Sequence, residues 1–196
     1  MPFASIVNDL YRQGWSLTSG VFPQATLQQL EQECRARQRC GSLQPAGIGR
    51  GAQVEVNENI RGDRIEWLEL GQSPSCDQYL QHMDKFRQAL NQAFFLGLDD
   101  FESHFALYPK GAFYRTHLDR FRDSDRRTVS SVLYLNPNWT DGDGGCLRLH
   151  LPEGNKDIAP RQGDWVVFLS GEIPHEVLET HTERLSLTGW FLRRAS

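Results

Sequence analysis

The chain reads as an α+β protein built on a double-stranded β-helix, or jelly roll, with helices packed on one outer face. Three observations predict it. Over much of residues 1–96, apolar residues recur at three- and four-residue spacing, as in helices that bury one face. From Phe101 onward the pattern changes to roughly six short strands separated by turns in under about 100 residues, which suggests a barrel or a two-sheet jelly roll. Asp141-Gly-Asp-Gly-Gly is a strong turn signal between two of those strands. No linker composition interrupts the chain. Residues 1–196 are therefore read as a single domain, with 1–96 mainly helical support and 97–196 the jelly-roll core.

Phe3, Ile6, Val7 and Leu10 keep helical spacing up to Gly14, and Trp15-Ser-Leu-Thr then reads as a short strand. Thr26 is a fair N-cap for a second helix that carries Leu27, Leu30 and Cys34 and ends before Gly41. Pro45, Gly47, Gly49 and Gly51 punctuate the next stretch, where Val54 and Val56 give a weak strand signal and Gly62 a turn. On residues alone this region is a glycine-rich surface loop and hairpin, with a mobile flap as the sharper alternative. Ser75 can cap the longest helix, running to about Phe95. Its stripe of Tyr79, Leu80, Met83, Phe86, Leu90 and Phe94 should back a sheet. The strands expected beyond it are Phe101–Tyr108, Phe113–Asp119, Val129–Leu135, Cys146–Leu151, Trp165–Leu169 and Leu185–Leu192.

Composition narrows the function classes. The chain is 39% hydrophobic and 23% charged with a net charge of −4, which offers no electrostatic case for nucleic acid or an anionic membrane. No stretch approaches the roughly 20 apolar residues needed to cross a bilayer. The N-terminus lacks a basic segment followed by an apolar run, so no signal peptide is expected. Cys34, Cys40, Cys76 and Cys146 are scattered without a Cys-x-x-Cys, which points to reduced thiols in a cytoplasmic protein. Nothing demands more than a monomer.

The chemistry centres on His117 and Asp119. Residues two apart on a strand share a face, so both can reach one metal ion. His175, in Ile-Pro-His-Glu-Val, sits at a loop-to-strand junction and supplies a third donor. Two imidazoles and a carboxylate suit non-haem Fe(II) that uses O2, because the other coordination positions stay open. A lone His-x-Asp arises easily by chance; its place on an expected strand and the downstream histidine strengthen it. His82, His104, His150 and His181 lack partners at metal spacing and take structural readings, His150 being the best reserve ligand. Arg184 starts a strand on which 184, 186, 188 and 190 share a face, so Arg184 and Thr188 can point into the roll. An arginine there can pair with the far carboxylate of a 2-oxo acid, since its planar fork meets a carboxylate with two hydrogen bonds. An ordinary surface arginine is the bland alternative. Tyr108 and Tyr134 lie on other strands and can offer hydroxyls to the same ligand.

Longer pieces carry a family resemblance. They are Ile-Arg-Gly-Asp-Arg-Ile-Glu-Trp from Ile60, Tyr-Pro-Lys-Gly-Ala-Phe-Tyr-Arg-Thr-His-Leu-Asp from Tyr108, Leu-Tyr-Leu-Asn from Leu133, Gly-Gly-Cys-Leu-Arg from Gly144, and Pro-His-Glu-Val from Pro174, followed by Arg184, Thr188 and Trp190. In these the chain resembles the Fe(II)- and 2-oxoglutarate-dependent prolyl 4-hydroxylases, on the branch of the HIF prolyl hydroxylases and their bacterial, Pseudomonas-type relatives. The likeness runs from about Gly41 to the C-terminus.

That resemblance implies His117, Asp119 and His175 as iron ligands and Arg184, helped by Tyr134 and Thr188, as the partner of the distal carboxylate of 2-oxoglutarate. It puts Tyr108 near the iron-chelating end of that cosubstrate. It puts Arg127 and Trp190 near the substrate proline, and Arg61 and Asp63 in a flap of about residues 47–63, so it favours the flap over the bland loop. Fe(II), with 2-oxoglutarate and O2 as cosubstrates, would hydroxylate C4 of a prolyl residue, giving succinate and CO2. The implied partner is a protein with an accessible proline, elongation factor Tu by likeness to the bacterial branch; oxygen sensing enters the same way. Two rivals remain open: the same chemistry on another substrate, and a non-catalytic metal or 2-oxoglutarate sensor.

Overall fold

The structure is a computed structural model that describes residues 3–47, 56–57, 59–120 and 125–194. Of the expected flap, residues 48–55 and 58 lie outside the described residues, as does Val54 of the weak strand signal.

Three helices come early: α1 (Ala4–Gln13), α2 (Gln24–Cys40) and α3 (Pro74–Phe94). Strand β1 (Trp15–Thr18) follows α1, and β2 (Gln44–Pro45) and β3 (Arg64–Trp67) lie between α2 and α3. The helix starts correct two expectations. Ser73, not Ser75, caps α3: its side chain accepts from Cys76 N, and Pro74, which has no N–H to satisfy, fills the first helical position. Helix α2 starts at Gln24, so Thr26 lies inside its first turn and Pro23 precedes it.

After α3 come β4 (Leu98–Tyr108), β5 (Tyr114–His117), β6 (Arg127–Tyr134), β7 (Leu147–Leu151), β8 (Gly154–Ile158), β9 (Trp165–Leu169), β10 (His175–Val177) and β11 (Arg184–Arg193). They build two antiparallel sheets. The major sheet has the order β1-β9-β6-β11-β4-β3-β2, and the minor sheet β5-β10-β7-β8. From β4 onward the chain alternates between the sheets, with β7 and β8 the one pair that stays in the minor sheet. This is the double-stranded β-helix that the strand count pointed to. Strand β8 was not foreseen, because four of its five residues are exposed and carry no alternation.

Alternation along the strands divides the burial. Leu185, Leu187 and Phe191 of β11 face outward and pack with Leu30, Tyr79, Met83 and Phe86 of the helices into one core. The helices thus cover the outer face of the major sheet, as expected. Between the sheets a second, smaller core gathers Val132, Val166, Phe168, Leu147 and Leu149. The remaining inward positions of β11 are Arg184, Ser186, Thr188 and Trp190, an unusually polar row for a buried face. That row is where the site forms.

Candidate active site

Strand β10 pairs with β5 so that His175 lies opposite His117. The register shifts between this pair and Val177↔Tyr114, so β5 carries an extra residue there. Such a bulge re-aims side chains. It puts Tyr114 and His117, three apart, on one face, and their rings stack at 3.7 Å. Strand β5 ends at His117, so Asp119 is not on the strand as expected; a bend brings it in. Leu118 is turned out and Asp119 is only 8% exposed, so the two carboxylate and imidazole groups still meet.

His117 Nε2 and His175 Nε2 each lie 3.5 Å from an oxygen of Asp119, and the ligand atoms of the three residues all fall within 4.8 Å of one another. Each imidazole has its Nδ1 on the carbonyl two residues earlier, His117 on Arg115 O at 2.7 Å and His175 on Ile173 O at 3.1 Å. A carbonyl can only accept, so Nδ1 carries the hydrogen and, in the neutral ring, Nε2 keeps a lone pair for a metal ion. Metal-binding histidines are oriented in this way. Burial holds His175 down to about 4, against the pull of Asp119 and with help from His117, so it is neutral at pH 7. Burial pushes the Asp119 carboxyl up, but His175, His117 and the Ser130 hydroxyl outweigh it and hold it well below the usual range. Two imidazoles and a carboxylate form the donor set that fits Fe(II). Among the described residues no other His/Cys/Asp/Glu group gathers at metal distance. His150, the reserve ligand, is engaged elsewhere, by Asn155 and Glu176.

The other end of the row is built around Arg184, which is 2% exposed. Its Nε donates to Gly145 O at 2.9 Å and its Nη1 to Ser186 Oγ at 3.5 Å. No carboxylate of the described residues pairs with it, so a buried guanidinium is left facing a neutral cage. The rings of Tyr108 and Tyr134 lie 4.9 and 5.1 Å from its Cζ. By geometry the Tyr134 hydroxyl is buried without a hydrogen-bond partner among the described residues; burial raises its phenol to about 12, against the pull of the Arg184 guanidinium beside it. Burying an uncompensated charge and an unpaired hydroxyl is costly. An anionic ligand with a carboxylate end resolves both, so these residues fit the distal end of a 2-oxo acid.

Every expected site residue except Tyr134 lines one cavity of about 750 Å³, and the Tyr134 ring lies against Arg184 at its wall. At its metal end Arg127 stacks over Trp190 at 3.5 Å and pairs with Glu102. On the side of the expected flap Arg61 meets Asp63 with both carboxylate oxygens engaged, at 2.6 and 2.9 Å, and lies over Tyr114.

Four participants were missed from sequence. Ser130 donates to Asp119 Oδ2 at 2.6 Å and accepts from Ser170, 2.8 Å away. Serines 40 positions apart leave no pattern in a sequence. Gly145 supplies the carbonyl for Arg184, at φ +62°; a Cβ there would stand 3.2 Å from the arginine's own Cδ. Tyr114 stands in the quoted motif three residues before His117, but only the bulge reveals that the two rings meet.

Known proteins resemble this chain in sequence and fold. The pattern of the 2OG-Fe(II) oxygenase superfamily matches residues 103–192. A crystal structure of a Pseudomonas putida prolyl-4-hydroxylase is 55% identical, covers 100% of both chains and superposes with a TM-score of 0.91. The chain belongs to the 2OG-Fe(II) oxygenase superfamily. A prolyl hydroxylase from Trichoplax adhaerens, solved with a hypoxia inducible factor peptide fragment, is 27% identical over 95% of this chain and 87% of its own, with a TM-score of 0.84. Human Egl nine homolog 1 is 29% identical over 95% of this chain and 45% of that protein. The chain spans about half the length of the curated relatives it matches first. Within the superfamily the oxygenase therefore lies among the prolyl hydroxylases. Its family uses Fe(II), 2-oxoglutarate and O2, and both ends of the cavity fit that set. No helix among the described residues is long and apolar enough to cross a membrane.

Proposed function

We propose that this oxygenase hydroxylates C4 of a prolyl residue in a protein substrate, converting 2-oxoglutarate and O2 to succinate and CO2 as it does so. The observation that carries the reading is the buried Arg184, which pairs with no carboxylate of the described residues, standing in one cavity with the His117, Asp119 and His175 donor set. The 55% identity to a prolyl-4-hydroxylase over the whole chain supports the prolyl part.

In this reading His117, Asp119 and His175 hold the iron, which when bound supplies the coupling of cosubstrate decarboxylation to insertion of one oxygen atom into the substrate C–H bond. Arg184 receives the distal carboxylate of 2-oxoglutarate in its fork, Tyr134 turns its hydroxyl to the same group, and Thr188 and Tyr108 border the rest of the molecule. Gly145 O fixes Nε of Arg184, so Nη2 is left to turn to the ligand. The neutral His175 and ionised Asp119 are ready to bind metal at pH 7 without releasing protons. Trp190 and Arg127 border the prolyl ring, and the Arg61–Asp63 pair lines the same cavity.

The substrate in this reading is elongation factor Tu, presenting a proline in a flexible loop; the enzyme is a cytoplasmic monomer of one domain, and a role in oxygen sensing follows from the same family likeness. The test is succinate release by purified enzyme with Fe(II) and 2-oxoglutarate, with and without elongation factor Tu. Release that rises several-fold with the protein supports the reading. Equal release in both conditions moves the chemistry to another substrate, and no release from folded, iron-loaded enzyme favours a sensor.

A further inference from the structure

The cavity holds a third feature that neither the metal nor the cosubstrate uses. His104 of β4 lies across from Thr188 on β11 and from Trp67 on β3, so it sits in the middle of the inner face. It lines the cavity and is 1% exposed. Its Nδ1 faces the carbonyl of Phe105 at 3.1 Å, which can only accept, so Nδ1 carries the hydrogen. Nε2 is then a bare acceptor, and it is buried with no partner among the described residues. Burial, helped by the Arg61 guanidinium, lowers this histidine to about 4, so the ring stays neutral at working pH. Next to it, with ring centroids 5.5 Å apart, Trp190 presents a buried Nε1 donor that is also unpaired. Trp67 closes the group edge-on at 5.0 Å, itself 44% exposed toward the mouth.

A lone acceptor and a lone donor side by side on a buried wall are a specific demand. 2-Oxoglutarate cannot meet it, since its carboxylates and keto group only accept and leave His104 Nε2 unsatisfied. A prolyl residue cannot meet it either, because proline has no N–H. A neighbouring residue of an extended peptide can, because in an extended chain one residue offers its N–H and C=O on the same edge. Resting on the prolyl reading above, we propose that His104 and Trp190 form a backbone-reading subsite: Nε2 of His104 accepts the amide N–H of a residue flanking the target proline, and Nε1 of Trp190 donates to a carbonyl of that segment. His104 is thus a specificity residue for an extended peptide rather than for the proline itself.

The test uses full-length enzyme and a synthetic peptide spanning the proline that wild type hydroxylates. His104→Met removes the acceptor at similar volume; His104→Gln keeps one. The expected result is a peptide KM raised about 10-fold in His104→Met and largely restored in His104→Gln, with the KM for 2-oxoglutarate unchanged in both. N-methylation of one flanking residue should cost wild type about the same factor and cost His104→Met nothing more, as for two partners in one bond. A peptide KM unchanged in His104→Met, or a raised 2-oxoglutarate KM, overturns the proposal. So do equal N-methylation losses in both enzymes, which would mean that a water occupies Nε2. These outcomes leave the prolyl reading standing. If wild type hydroxylates no prolyl peptide at all, that reading falls first and takes this subsite with it.

Discussion

The Ser130 hydroxyl donates to Asp119 Oδ2 at 2.6 Å, and both residues are buried. An ionised carboxylate only accepts, so the direction of this bond is settled, and Ser170 must in turn donate to Ser130. The chain of two serines holds one carboxylate oxygen and leaves Oδ1 to face His117. Ser130→Ala should lower metal affinity about 10- to 100-fold, in the range of lost partners behind metal ligands. Anaerobic titration with Fe(II), read by calorimetry, checks it, with a thermal scan of the metal-free protein to show that the variant is folded.

Arg184 is the cosubstrate prediction. With the guanidinium gone, a buried carboxylate would be stranded, at a cost of about 3–5 kcal/mol. Arg184→Ala should therefore weaken 2-oxoglutarate binding by roughly 100-fold or more, while metal affinity holds. Arg184→Lys should fare poorly too, because a lysine cannot keep both the Gly145 carbonyl and a forked contact with the ligand. Binding isotherms with Mn(II) in place of iron separate the two affinities.

Gly189 tests the packing behind the site. A Cβ there would stand 2.6 Å from Glu102 O and 2.6 Å from the Phe101 ring, where β11 runs against β4. Overpacking of this kind costs about 1–3 kcal/mol or more. Gly189→Ala should lower the melting temperature by roughly 5–10 °C in a thermal unfolding scan.

The pH dependence has a definite sign. His104 and His175 are both held to about 4 in the folded protein, chiefly by burial, against 6.5 as the ordinary value. The unfolded chain therefore binds protons first as pH falls, and stability present above about 6.5 is lost on the way down to about 4. For His104 the loss between pH 7 and pH 5 is on the order of 2 kcal/mol. Urea midpoints at the two pH values should fall with acid, and the fall should shrink in His104→Met.

The legible and the illegible parts of this protein differ in a physical way. His117, Asp119, His175 and Arg184 could be found because metal and carboxylate chemistry demands rare residue types, and because strand spacing puts 184, 186, 188 and 190 on one face. The helices over the major sheet were legible from Tyr79, Met83, Phe86 and Leu90. What could not be read depends on backbone detail or on common residues. The bulge in β5 and the bend after His117 bring Tyr114 and Asp119 inward against simple alternation. Strand β8 is an exposed edge whose residues do not alternate. Ser130, Ser170 and Gly145 act through one hydroxyl or one carbonyl each, and His104 looks like any core histidine until its second nitrogen is found without a partner. The start of α3 is an instructive miss, since Pro74 at the first helical position points back to Ser73 as the cap.

The measurement that most directly tests the central claim is mass spectrometry of a whole lysate treated with enzyme, Fe(II), 2-oxoglutarate and air, with Asp119→Ala as control. Removing the Asp119 carboxylate leaves two imidazoles and should abolish turnover in a folded protein. The account predicts a gain of one oxygen on a specific proline with wild type and none with the variant. Succinate accumulating with no proline oxidised, or the same proline oxidised equally by Asp119→Ala, would contradict it.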